Sequence, residues 1–135
     1  MAGVYLHIPY CIKKCAYCDF VSFAEPEAVG AYVDWLLREI ALAAERLPVP
    51  EVVESVFLGG GTPSLLAGAQ MAAVLDALRA RYPVAADAEI TVECNPGTVD
   101  EARLAAYRAA GVNRLSVGLQ SADDALLAAV GRIHT

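Results

Sequence analysis

Four times along this chain an aliphatic run is followed by a polar or glycine-rich motif and then by an amphipathic stretch, and this order limits the fold more than any other feature. Val4 to Ile8 reads as a short buried strand ended by Pro9. Glu27 to Leu47 reads as a long helix, with Val29, Val33, Leu36, Ile40 and Leu47 near one stripe and Tyr32 and Leu37 widening it. Val52 to Leu58 is a second strand, running into Gly59-Gly60-Gly61-Thr62-Pro63-Ser64, and a helix from near Gln70 to Arg81 follows. Glu89 to Val92 is a third strand, after which Thr98 and Glu101 make a capping box for a third helix and Gly111 suits its C-terminal end. Arg114 to Leu119 is a fourth strand, and Asp123 to Val130 a last helix.

Such alternation predicts an α/β fold, with a parallel sheet, helices on its outside and right-handed crossovers. Each polar motif falls just after a strand, at the ends where parallel α/β folds build their sites. Four βα units cannot close a barrel, and the fourth strand would leave a bare edge. The expectation is an incomplete parallel βα barrel, residues 1–135 being the N-terminal part of a larger core domain.

The loop after the first strand holds Cys11, Cys15 and Cys18, spaced Cys-x3-Cys-x2-Cys. Three thiolates on one short loop can hold three irons of a [4Fe–4S] cube and leave the fourth iron without a protein ligand. A structural zinc site usually needs a second pair of Cys or His. Cys15 and Cys18 could form one pair, but Cys94 is alone, and His7 and His134 are far apart in sequence. A disulfide framework suits short, cysteine-rich secreted chains, whereas this chain is mostly aliphatic. Cys94 reads as a buried apolar filler.

Apolar residues make up 57% of the chain and charged ones 19%, enough for a core. A formal charge of −6 argues against a general grip on nucleic acid. No apolar run approaches the roughly 18 residues of a membrane span. Met1 stands a few residues before the first strand, so no targeting segment is expected, and thiolate ligands imply a reducing interior, most simply the cytoplasm.

The cysteine spacing, with Tyr17 just before the last cysteine, resembles the radical S-adenosylmethionine (SAM) superfamily. Tyr5 to Phe20, Gly59 to Ser64, Thr91 to Thr98, Arg114 to Ser121 and Gly131-Arg132-Ile133-His134 are together similar to the oxygen-independent coproporphyrinogen III oxidase family. The resemblance implies a radical SAM barrel whose remainder, with a C-terminal domain, is absent from this sequence. It implies that Cys11, Cys15 and Cys18 hold the cluster. It further implies that an electron from the cluster splits S-adenosylmethionine into methionine and a 5′-deoxyadenosyl radical, on a flavodoxin- or ferredoxin-like donor's supply.

By the same resemblance Gly60, Gly61 and Thr62 contact the methionine end, and Glu93 and Gln120 the ribose. Arg132 pairs with the ligand carboxylate, Tyr5 contacts the ligand, and Tyr17 packs beside the cluster. Read from the residues alone, the glycines suit close backbone approach or a plain tight turn. Glu93 ends a buried strand, where an unpaired carboxylate is costly, or else a solvated one. Gln120 could be a helix-start amide, Arg132 an exposed arginine and Tyr5 a core tyrosine. His7 reads as a supporting or core residue, and His134 has no assigned place.

The family has two branches, a dehydrogenase of haem synthesis and a haem chaperone. The dehydrogenase usually carries a further cysteine two positions past the third, where this chain has Phe20, and an N-terminal extension. The resemblance therefore favours the chaperone, which binds haem and passes it to haem-requiring acceptors. The alternative is an enzyme that converts two propionates of coproporphyrinogen III to vinyl groups.

Overall fold

A computed structural model describes residues 2–135; Met1, where the absence of a leader was expected, lies outside them. Four strands, β1 (Ala2–Ile8), β2 (Val53–Gly60), β3 (Val84–Cys94) and β4 (Arg114–Val117), form one sheet in the order β1-β2-β3-β4. All three pairings are parallel, with Leu6 opposite Leu58, Phe57 opposite Thr91 and Glu93 opposite Ser116. The connecting helices are α1 (Val29–Arg46), α2 (Gly68–Arg81) and α3 (Glu101–Ala110), and a short α4 (Asp124–Ala129) follows β4. The expected α/β architecture of four βα units is the one observed.

Side chains alternate across each strand, so one sheet face takes every second residue. Leu6 and Ile8, Val56 and Leu58, and Ile90 and Val92 lie on the helix-covered face and are buried. They pack with Val33, Leu36 and Ile40 of α1, Met71, Leu75 and Leu78 of α2, and Tyr107 of α3. The opposite face carries Tyr5 stacked on Phe57, and Arg114 bonded to Glu89 and Thr91.

Several element ends differ from the sequence reading. The first helix begins as a 3₁₀ turn, Pro26–Ala28, where Pro fits because its missing N–H would have had no partner. Leu47 is not in the stripe; it is 63% exposed, because the chain is already extended there. Thr98 does not cap α3. Asp100 does, accepting from the Arg103 N–H at 2.7 Å, while the Thr98 hydroxyl donates to the Asn95 carbonyl at 2.6 Å. β3 starts five residues early, at Val84, because its first part pairs with Val53 across a register shift. β4 stops at Val117. Gly111 does end α3 in the left-handed region, at φ 106°.

Candidate functional site

The C-terminal ends of the four strands converge on a cavity of about 350 Å³. Cys11, Cys15, Cys18 and Tyr17 reach it from the loop after β1, and Gly60, Gly61 and Thr62 from the end of β2. Glu93 comes from β3, Gln120 from the loop after β4, and Arg132 from beyond α4. Tyr5 does not line this cavity. It sits further back on the open sheet face, 56% exposed, beside Gly59 and Glu93. Burial and the Glu93 charge push its hydroxyl pKa up.

The cysteine loop is closed at its base and propped from two sides. Cys11 N–H donates to the Phe23 carbonyl at 2.9 Å, and Phe23 N–H to the Pro9 carbonyl at 2.7 Å. The His7 ring joins the Tyr5 hydroxyl, at 3.0 Å, to the Val21 carbonyl, at 2.9 Å, which gives His7 the supporting place expected for it. Ala16 N–H reaches the Val130 carbonyl at 3.2 Å, so the loop also leans on the end of α4. Cys11, Cys15, Cys18 and Cys94 all stand as free cysteines, Cys11 and Cys94 buried and the other two half-buried.

The glycines of the β2 end are required by packing within the chain. Gly61 N–H donates to the Ile8 carbonyl at 2.8 Å and Thr62 N–H to the Tyr10 carbonyl at 2.7 Å, extending β2 against the start of the cysteine loop. A Cβ on Gly61 would lie 2.6 Å from the Tyr10 oxygen. Gly60 has φ 120°, and a Cβ there would meet the His7 ring at 2.7 Å. Its N–H donates to Glu93 Oε2 at 3.1 Å, so Glu93 holds this turn with one carboxylate oxygen.

Gln120 is the one non-glycine residue with positive φ among those described, at 68°. Such backbone conformations cost of order 1–3 kcal/mol and collect at ligand sites. Arg132 is far from an ordinary exposed arginine. Its guanidinium bonds Asn95 Oδ1 at 2.7 Å, the Gly118 carbonyl, and Cys15 Sγ at 3.6 Å, and its buried Nε has no partner. Cys94 is 3% exposed at the cavity floor, its thiol against the Val92 carbonyl at 3.8 Å, and burial pushes its pKa up. The expected filler role matches that burial. His134 bonds the Leu119 carbonyl at 3.1 Å.

Sequence reasoning gave no place in the site to Asn95 or Ser64, and read Thr98 only as a helix cap. The Ser64 and Thr98 hydroxyls are 2.5 Å apart and buried, joining the loops after β2 and β3. The run Asn95-Pro96-Gly97 reads locally as a turn, so its tertiary partners left no local signal.

The radical SAM superfamily profile matches residues 5–135. This chain belongs to the radical SAM superfamily. Membership implies a [4Fe–4S] cluster and S-adenosylmethionine. The chain is 50% identical over 138 residues to heme chaperone HemW of Escherichia coli K12, covering 98% of this chain and 35% of that protein. It is 43% identical to heme chaperone HemW of Mycobacterium tuberculosis, again covering 98% and 35%. It is also 48% identical to the mouse mitochondrial radical S-adenosyl methionine domain-containing protein 1, covering 99% of this chain and 30% of that one. A solved structure of coproporphyrinogen III oxidase (HemN) from Escherichia coli superposes with a TM-score of 0.88 at 33% identity, over 98% of this chain and 31% of that one. The chain thus spans about a third of the length of the relatives it matches.

The donor set of this radical SAM chain fits a cube, which takes one thiolate per iron. Three free thiols on one loop at the mouth of a cavity meet that need. No helix of the described residues is long and apolar enough to cross a membrane.

Proposed function

We propose that this chain is the cluster- and nucleotide-binding end of a haem chaperone. The observation that carries the site reading is the convergence of Cys11, Cys15 and Cys18 with the Gly60–Thr62 turn on one cavity. Cys11, Cys15 and Cys18 hold the cluster. When bound, the cluster supplies an electron to the sulfonium of S-adenosylmethionine.

The chain's own groups then bind and orient the nucleotide. Gly60, Gly61 and Thr62 present backbone to its methionine end. The Glu93 oxygen not engaged by Gly60 and the Gln120 amide accept and donate at the ribose hydroxyls, and the strained Gln120 backbone aims that amide. Arg132 offers N–H groups to the carboxylate. Tyr17 covers the loop side, keeping water from the cluster. Tyr5, set back beside Glu93, meets the ligand from the sheet face. The setting is a reducing compartment, most simply the cytoplasm, with a flavodoxin- or ferredoxin-like electron donor.

Two observations favour chaperone over oxidase. Identity is 50% to a heme chaperone against 33% to the coproporphyrinogen III oxidase. Phe20 stands where the dehydrogenase branch usually has a further cysteine. The oxidase reading keeps the support of the close superposition on that enzyme. The deciding experiment offers the anaerobically reconstituted protein haem, and separately coproporphyrinogen III with reductant and S-adenosylmethionine. Stoichiometric haem binding without decarboxylation is expected. Formation of protoporphyrinogen would overturn the chaperone reading.

A further inference from the structure

We infer that Asn95 is a positioning residue that sets the direction of the hydrogen bonds given to the cysteine sulfurs. This rests on the reading of Cys11 and Cys15 as cluster ligands. Arginine can only donate, so the Arg132 Nη2–H that reaches Asn95 at 2.7 Å fixes the amide oxygen on that side. The Asn95 NH₂ must then face Thr62, and it donates to Thr62 Oγ1 at 2.9 Å. With its oxygen accepting there, Thr62 has its own O–H to give, and Cys11 Sγ lies 3.5 Å away. On the far side Arg132 Nη1–H points to Cys15 Sγ at 3.6 Å.

One amide therefore sits at the centre of an unbroken chain running from Cys11 through Thr62, Asn95 and Arg132 to Cys15. Its backbone is clamped on both sides. The N–H donates to Ser64 Oγ at 3.3 Å, and the carbonyl accepts from Thr98 N–H at 3.1 Å and Oγ1 at 2.6 Å. The side chain thus has a fixed anchor, and Thr62 is itself buried. Hydrogen bonds to ligand sulfurs stabilise the more negative, reduced cluster and raise its potential.

An aspartate at position 95 has the same shape and keeps the Arg132 contact, but it has no N–H. Thr62 would then give its proton to the new carboxylate, and Cys11 would lose its donor. The test is an EPR-monitored redox titration of the protein, reconstituted anaerobically with iron and sulfide, without nucleotide or haem. Thr62→Val removes the donor to Cys11 directly, and about a tenfold fall in the reduction equilibrium is expected, which for one electron is 59 mV. Asn95→Asp should shift it further the same way, since it adds a negative charge.

The double variant should fall short of the sum of the two, because no hydroxyl remains to be turned. Thr62→Val carries the test if Asn95→Asp does not assemble a cluster. Wild-type potential in either assembled single variant, or strictly additive shifts, would overturn the inference. A wild type that takes up no iron and sulfide would instead overturn the cluster reading on which it stands.

Discussion

The two faces of the sheet are built from the same strands and have opposite chemistry. On the covered face Ile8, Val56, Leu58 and Val92 are at most 1% exposed and belong to one apolar cluster with residues of the helices. On the open face, one residue along each strand, lie Tyr5, His7, Glu89, Glu93 and Arg114. Removing apolar area from water supplies stability at roughly 25 cal/mol per Å², so the covered face holds the fold together. The open face contributes little of that kind. It places polar groups whose positions are set by strands anchored from behind, and at the strand ends these groups border the cavity.

The sharpest test of that contrast uses two cysteines. Cys15→Ala should abolish the iron and sulfide content and the brown colour of a reconstituted sample, whereas Cys94→Ala, on the buried side, should leave both intact. Loss of the colour in the second variant would break the division. Next in size is the core. Leu75→Ala should lower unfolding free energy by about 2–5 kcal/mol in a urea titration, because the side chain is fully enclosed by helix and sheet.

A smaller effect is expected at Tyr107, whose hydroxyl donates to the Leu66 carbonyl at 2.5 Å behind the covered face. Burial pushes its pKa well above the ordinary 10.0, against the opposing charge of Arg103. The folded state keeps this proton at pH values where the unfolded chain releases it. Stability from this group is therefore intact below about pH 10 and falls as pH rises beyond it. Tyr107→Phe should flatten that alkaline fall and cost about 1–3 kcal/mol at neutral pH, since the Leu66 carbonyl loses its buried donor. Smallest is Arg114→Ala on the open face. Its pair with Glu89 spans 3.3 Å with both side chains 55% exposed, so a change of about 0–1 kcal/mol is expected by thermal unfolding. A larger loss would mean that the open face carries structural weight.

Much of this was legible along the chain. Met71, Val74, Leu75 and Leu78 announce α2 because an apolar side chain every three or four residues has one physical outcome. The three thiols and the glycine turn stand out because their spacing is local. Leu47 misled because periodicity continues past the point where the backbone leaves the helix. Thr98 misled because Asp100, two residues on, competes for the same cap, and Ser64 and Asn95 engage the threonine hydroxyl instead.

Residue order alone set the alternation of strands and helices and the site's location at the strand ends, since both follow from interactions between near neighbours. Tertiary structure decided that Arg132 lies across Asn95 and Cys15, that Glu93 holds Gly60, and that Tyr5 stands outside the cavity. Those contacts join residues 33 to 117 positions apart. Partners so distant meet because the packed helices fix where each strand ends, and no local pattern in the chain encodes that meeting.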